Sequence, residues 1–183
     1  MKRIIITGAS GVGKTTLVEA LAPLLSLPMI PELARGICST IGFNRIGEIP
    51  DQEGFKQKVL NAQIEEEEKL GSFLADRSTI DCWVLWQRWN ICSAMTYDTE
   101  AYREKAFQQA QKYTHIIYLR PTFPSADDGF RWSDPDYQKQ IDRLVRMTLY
   151  DFDLFGKTLT LETPGPEARL DEARQWLTTI VNG

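Results

Sequence analysis

Short, uninterrupted apolar runs alternate along this chain with longer segments in which apolar residues return every three or four positions. Residues 3–7 (RIIIT) form a β-branched run of the kind a central parallel strand shows when both its faces are covered. A glycine-rich turn spans residues 8–13, and Lys14–Leu25 has the helical period. Met29 and Ile30 make a weak second strand, residues 32–41 read as a helix, and Gly42, Gly47 and Pro50 mark the loop that follows. The helical pattern over 51–70 is strong, with Phe55, Val59, Ala62 and Leu70 on its apolar side. Residues 72–76 predict a third strand, 79–92 an aromatic helix, 99–113 another helix and 115–119 a fourth strand. A polar loop covers 120–134, and Pro135 suits the first position of a long helix to Phe155. Residues 159–161 give a short last strand, and Pro166 opens the last helix. This alternation predicts an α/β fold of three layers, with a parallel sheet of about five strands and helices on both faces.

Composition narrows the picture. A length of 183 residues fits one domain, and 43% hydrophobic against 25% charged residues supports a buried core. A net charge of −4 and a pI near 5.1 argue against a nucleic-acid binder with a broad basic surface; the cations should gather in one pocket instead. Cys38, Cys82 and Cys92 lack metal or disulfide spacing and read as reduced apolar fillers, and the single His115 excludes a multi-histidine metal site. No apolar stretch reaches about 18 residues and the first residues lack a signal-peptide core, so the expectation is a cytoplasmic protein without membrane contact. A homodimer stays open. The charge block Glu65–Glu68 reads as a solvated helix face.

Residues Gly8, Ala9, Ser10, Gly11, Val12, Gly13, Lys14 and Thr15 satisfy G-x-x-x-x-G-K-[ST] in full, and Thr16 follows. Glycines let the backbone curl so that amides meet phosphate oxygens, and the helix after them adds its positive end. Lys14 supplies a cation for the β- and γ-phosphates, and the Thr15 hydroxyl suits Mg²⁺. A chance match in a chain of this length is about one in a hundred, so the motif identifies a P-loop for ATP or GTP.

Three further segments carry candidate chemistry. Asp76, Arg77 and Ser78 end the third strand; Asp76 there either reaches Mg²⁺ or caps the next helix. Glu32, after the second strand, is placed to accept a proton from an attacking hydroxyl, and Arg35 either steadies it, binds a substrate anion or forms an ordinary surface pair. The loop over 126–131 suits a lid, with Arg131 as the cation for the transferred group and Arg120, Arg143 and Arg146 as alternatives. Trp83, Trp86 and Trp89 recur every three residues, a spacing better explained by packing than by ring stacking; Trp132 on the lid suits a substrate ring.

The order GASGVGKTT, PELAR, ADRSTIDCW and DDGFR resembles the NadR-like family of P-loop ATPase/kinase domains, which includes the ribosylnicotinamide-kinase portion of bacterial regulators of NAD metabolism. The D-R-S segment also resembles its counterpart in deoxynucleoside kinases, which implies substrate-side roles for Arg77 and Asp81 and a metal-side role for Asp76. Residues 162–165 (ETPG) resemble the loop that packs on adenine in small-molecule kinases. The family pattern often has glycine after D-R, where this chain has Ser78, which implies a different substrate. No separate nucleotidyltransferase domain is expected. The resemblance implies a kinase that uses ATP and Mg²⁺ to phosphorylate a hydroxyl of a nucleoside-like acceptor. Its rival from another class is a nucleotide-dependent switch with slow hydrolysis, whose lid orders for a partner.

Overall fold

Ile4, Ile5 and Ile6 are buried in the middle of the sheet, as their branched side chains predict. They belong to β1 (Arg3–Gly8), which pairs in parallel with β3 (Phe73–Asp76) on one side and β4 (His115–Leu119) on the other. The short β2 (Met29–Ile30) and β5 (Thr158–Leu161) form the edges, giving the order β2-β3-β1-β4-β5. This computed structural model describes residues 1–124 and 134–181, without side chains beyond Thr178. The three-layer α/β expectation holds: the five-stranded sheet is parallel throughout, and helices cross between its strands.

From β1 the chain crosses to the β2 edge, returns to β3, then passes over β1 to β4. The carboxyl ends of β1 and β3 therefore sit side by side where the winding reverses, the place where α/β sheets open a crevice. Helices α1 (Lys14–Leu25), α2 (Leu33–Thr40), α3 (Gln52–Leu70), α4 (Thr79–Asn90), α5 (Thr96–Gln111), α6 (Pro135–Asp151) and α7 (Pro166–Val181) complete the layers. Among the described residues, no helix is long and apolar enough to cross a membrane.

Several element bounds differ from the sequence expectation. Helix α6 stops at Asp151 rather than Phe155: Asp153 takes a left-handed backbone (φ 53), and the turn lets Phe152 and Leu154 both reach the core. Phe152 meets Phe107 edge-on, with centroids 5.2 Å apart. Helix α4 ends at Asn90 and α5 starts three residues earlier than expected. A 3₁₀ turn, Ile46–Glu48, lies in the loop before α3.

The largest correction concerns α3. Its buried face runs through Phe55, Lys56, Leu60, Gln63 and Glu67, whereas Val59, Ala62 and Leu70 are only partly buried. Positions 56, 60, 63 and 67 fall on one helical stripe, three of them polar. Glu67 is therefore no solvated residue: it is fully buried, accepting hydrogen bonds from Gln63 (2.8 Å), Gln109 (2.8 Å) and Tyr113 (2.9 Å). Glu68 pairs with Arg3 at 2.8 Å and Lys112 at 3.1 Å, and the Arg3 guanidinium holds its carboxyl down at about 2. Periodicity pointed elsewhere because charged residues satisfied by partners on other elements look polar in sequence yet pack as core.

The cysteines are free; Cys38 and Cys82 are buried as expected, but Cys92 is exposed after α4 and fills no core space. His115, for which the sequence suggested no partner, stands edge-on to Trp176 with centroids 5.5 Å apart. Trp83 and Trp86 pack between α4 and α5, Trp86 stacking on Tyr102 at 4.1 Å; Trp89 is exposed.

Burial raises the Glu67 carboxyl to about 7 from its ordinary 4.5. The folded protein thus binds a proton that the unfolded chain releases between those values, so this group's contribution to stability is full below about 4.5 and falls as pH rises to 7. Glu67→Gln should remove that slope, which amounts to a few kcal/mol. Urea denaturation of both proteins from pH 4.5 to 8 checks it.

Candidate active site

The turn after β1 is possible only because Gly8 lacks a side chain: a Cβ there would sit 2.4 Å from the Leu119 carbonyl oxygen of β4. Gly13, at φ 90, ends the loop and begins α1 without a capping side chain, so the first amides of that helix present their positive end to the loop. The Lys14 ammonium folds back over the loop and donates to the Gly8 carbonyl (2.9 Å) and the Ala9 carbonyl (2.5 Å). Two other elements brace the loop. Gln138 of α6 donates to the Ser10 carbonyl at 3.0 Å, and Arg169 of α7 donates to the Val12 carbonyl at 2.5 Å.

Beside the loop, register places Asp76 opposite Ile6, and its carboxylate accepts from the Thr15 hydroxyl at 2.5 Å. Asp76 does not cap α4. Ser78 does, its hydroxyl accepting from the Ile80 amide (3.2 Å) and donating to Asp81 (3.1 Å), which gives the serine a local reason to replace glycine. Ser78 is extended, with φ −160, and the left-handed backbone falls instead on Arg77, at φ 81. That conformation costs a non-glycine residue about 1–2 kcal/mol. It is held by the Arg77 amide, which donates to the Ile6 carbonyl at 3.0 Å, and by the guanidinium.

The guanidinium joins two carboxylates. Arg77 Nε donates to Glu32 at 2.8 Å, and its terminal nitrogen donates to Asp81 at 3.2 Å. Glu32 caps no amide with its side chain, so the carboxylate is turned to Arg77 across the gap between β2 and β3.

Two cavities flank the loop. One, of about 370 Å³, is lined by Ser10, the Glu32–Arg77–Asp81 group, apolar side chains such as Phe55, Val59 and Leu85, and the rings of Trp89 and Tyr137. Trp89 and Tyr137 stand 6.1 Å apart, with the Arg88 guanidinium 4.5 Å from the Trp89 ring. Lys56 also lines it, and burial lowers its ammonium to about 8. The other cavity, about 390 Å³, lies among Gly13, Thr16, Leu17, Phe123, Gly165 and Arg169. Arg169 spans its floor, bonding the Thr163 carbonyl (2.6 Å) and Thr122 hydroxyl (2.7 Å) as well as Val12, with Phe123 centred 5.5 Å away. Burial pulls its guanidinium down from the usual value.

A family model described as an AAA domain matches residues 3–158. The chain belongs to the AAA domain family. Among solved structures it resembles a NadR protein in complex with NR, at 20% identity over 90% of this chain and 46% of that one, with a TM-score of 0.73. A NadR protein in complex with NAD and AMP-PNP matches at 16% identity, TM-score 0.72, over 95% and 49% of the two chains. This chain thus spans about half the length of those two. Deoxyadenosine kinase from M. mycoides, with products dCMP and dCDP bound, matches at 13% identity over 98% of this chain and 100% of that one, with a TM-score of 0.67. Shikimate kinase from Acinetobacter baumannii in complex with shikimate matches at 18% identity over 100% and 94%, with a TM-score of 0.62. No curated protein sequence matches significantly. The NadR-like resemblance is borne out by the family match and by the fold.

Within this AAA domain the sequence-named residues divide. Lys14, Thr15, Asp76, Glu32, Arg77 and Asp81 gather at the carboxyl ends of β1, β2 and β3. Arg35 is exposed on α2 and, among the described residues, is not one that lines either cavity; Arg77 takes the role of steadying Glu32. Arg120 is tied to Asp142 (3.0 Å) and Glu162 (2.8 Å), and Arg143 and Arg146 are exposed on α6. Arg131 and Trp132, with the DDGFR segment, lie outside the described residues. Lys56, Gln138 and Arg169 were missed. Each sits in a helix whose sequence pattern does not set it apart, and their burial and the loop partners of Gln138 and Arg169 come from other elements of the fold.

Gly8→Ala forces the new methyl into a backbone carbonyl, so a loss of at least about 3 kcal/mol is expected, or failure to fold. Gly36→Ala in α2, where nothing lies within 4 Å, should instead be neutral or stabilising by up to about 1 kcal/mol. Guanidinium denaturation of the two variants makes the comparison.

Proposed function

We propose that the chain is a kinase that transfers the γ-phosphoryl group of ATP to a hydroxyl of a small, nucleoside-like acceptor. The observation that carries this reading is the cavity in which the Glu32–Arg77–Asp81 group and Ser10 of the phosphate loop line one space. A nucleotide switch needs a phosphate loop but no deep second cavity with a carboxylate aimed into it. The solved neighbours include kinases of small molecules, which supports the same class.

In this reading Gly8 to Thr16 hold the phosphates, and the Lys14 ammonium leaves the loop carbonyls for the β- and γ-phosphate oxygens. The base falls in the cavity beside Gly13, Thr16 and Gly165, under which Arg169 ties the base side to the loop. Thr15 and Asp76 offer two hard oxygens side by side, a set that suits Mg²⁺ completed by phosphates and water. Bound there, Mg²⁺ would neutralise charge on the phosphate oxygens.

Glu32 accepts the acceptor's hydroxyl proton while that oxygen forms its bond to the γ-phosphorus. The bond to the bridging oxygen breaks, its electron pair leaves with ADP, and Glu32 later returns the proton to water. Arg77 fixes the carboxylate in place. Arg131 is proposed as the closing cation.

The test is ADP release with Mg-ATP against a nucleoside panel and a no-acceptor control. One acceptor should raise turnover well above the control. Lys14→Ala should abolish it, and Glu32→Gln should lower kcat by about 10²–10⁴ with KM little changed. Slow ADP release unaffected by any acceptor would reject the kinase reading for that panel.

A further inference from the structure

Four charged side chains line the acceptor cavity among the described residues, and three of them are joined, Arg77 pairing with both Glu32 and Asp81. The fourth is Lys56. It is 7% exposed and sits on the core-facing stripe of α3, next to Phe55 and near Val59 and Leu85 of the cavity wall. Among the described residues its ammonium donates only to neutral oxygens of Gln52, the backbone carbonyl at 3.4 Å and Oε1 at 3.2 Å. Both bonds are long for a charged donor, and an ammonium has a third N–H to give. No carboxylate among the described residues lies within ion-pair reach of it; Glu53, on the same helix, acts only at a distance.

A cation withdrawn from water without a counter-charge is costly, and at a packing position leucine or methionine would fill the same space without that cost. The ammonium is explained if an anion enters the cavity. Building on the kinase reading above, we infer that Lys56 sets acceptor specificity, and that the acceptor carries a carboxylate on the apolar ring occupying the cavity, in addition to the hydroxyl that is phosphorylated. The carboxylate replaces the missing counter-charge and takes the third N–H. A carboxamide or ester in its place leaves the ammonium uncompensated, and a ring bearing only positive charge is repelled.

Matched pairs isolate this difference: nicotinate riboside with nicotinamide riboside, orotidine with uridine, and shikimate with its methyl ester. With the full chain and Mg-ATP, the carboxylate member of a productive pair should show a kcat/KM about tenfold to a hundredfold higher, mostly through KM. Lys56→Met should erase the preference, and Lys56→Arg should keep part of it. A productive acceptor used equally well without its acid group, or a preference that Lys56→Met leaves unchanged, overturns the inference while the kinase reading stands.

If no pair raises ADP release, the kinase reading fails for these acceptors and binding alone decides the role of Lys56. Benzoate and benzamide, both small enough for a cavity of about 370 Å³, are then titrated calorimetrically into the wild type and Lys56→Met. Benzoate binding that exceeds benzamide binding and vanishes in Lys56→Met supports the carboxylate subsite. Equal binding of the two, or binding of neither, rejects it.

Discussion

Gly8 has no Cβ because the Leu119 carbonyl of β4 lies where one would go. That close approach fixes where the phosphate loop leaves the sheet, and much else depends on it. β1 is held between β3 and β4, so the loop that follows must rise at the centre of the sheet. Parallel pairing then brings Asp76 level with Ile6 and sets its carboxylate against Thr15. The loop's walls are drawn in from distant parts of the chain, Gln138 from α6 and Arg169 from α7, each reaching a loop carbonyl. Buried carbonyls on a tight turn need such donors, and here the helices on the sheet supply them.

On the β3 side, strain and charge are combined. Arg77 holds an unfavourable backbone conformation while its side chain spans two carboxylates. The result is a carboxylate fixed beside the phosphate loop in a mainly apolar cavity, where electrostatic interactions are stronger than in water. The nucleotide-side cavity has a different character, with a buried guanidinium satisfied by neutral oxygens. The phosphate loop lies between the two, and the same backbone segment forms part of both walls.

Much of the architecture was legible in short sequence patterns because they report local physics. The isoleucines of β1 can be buried on both faces only in a central strand, and a full G-x-x-x-x-G-K-[ST] run after such a strand specifies one turn. Elsewhere the pattern misled for a physical reason. Glu67 looked like part of a charged surface, yet Gln63, Gln109 and Tyr113 satisfy it in the core. The tryptophans at 83, 86 and 89 looked equivalent, but the first two are packed between α4 and α5 while Trp89 reaches a cavity wall.

The sequence alone determined the order of strands and helices, the phosphate loop and its lysine, and the parallel character of the sheet, since each follows from interactions within a few residues or from the spacing of apolar positions. It also named Glu32, Asp76, Arg77 and Asp81, but it left Asp76 between two roles and could not say which arginine meets Glu32. Only the tertiary structure assigned the cap and the partner of Glu32. Ser78 took the cap of α4, Arg77 rather than Arg35 took Glu32, and Lys56 turned inward from a helix whose pattern gave it no special place. Partners 45 or more residues apart are chosen by strand order and helix packing, and a linear pattern of residue types does not contain that information.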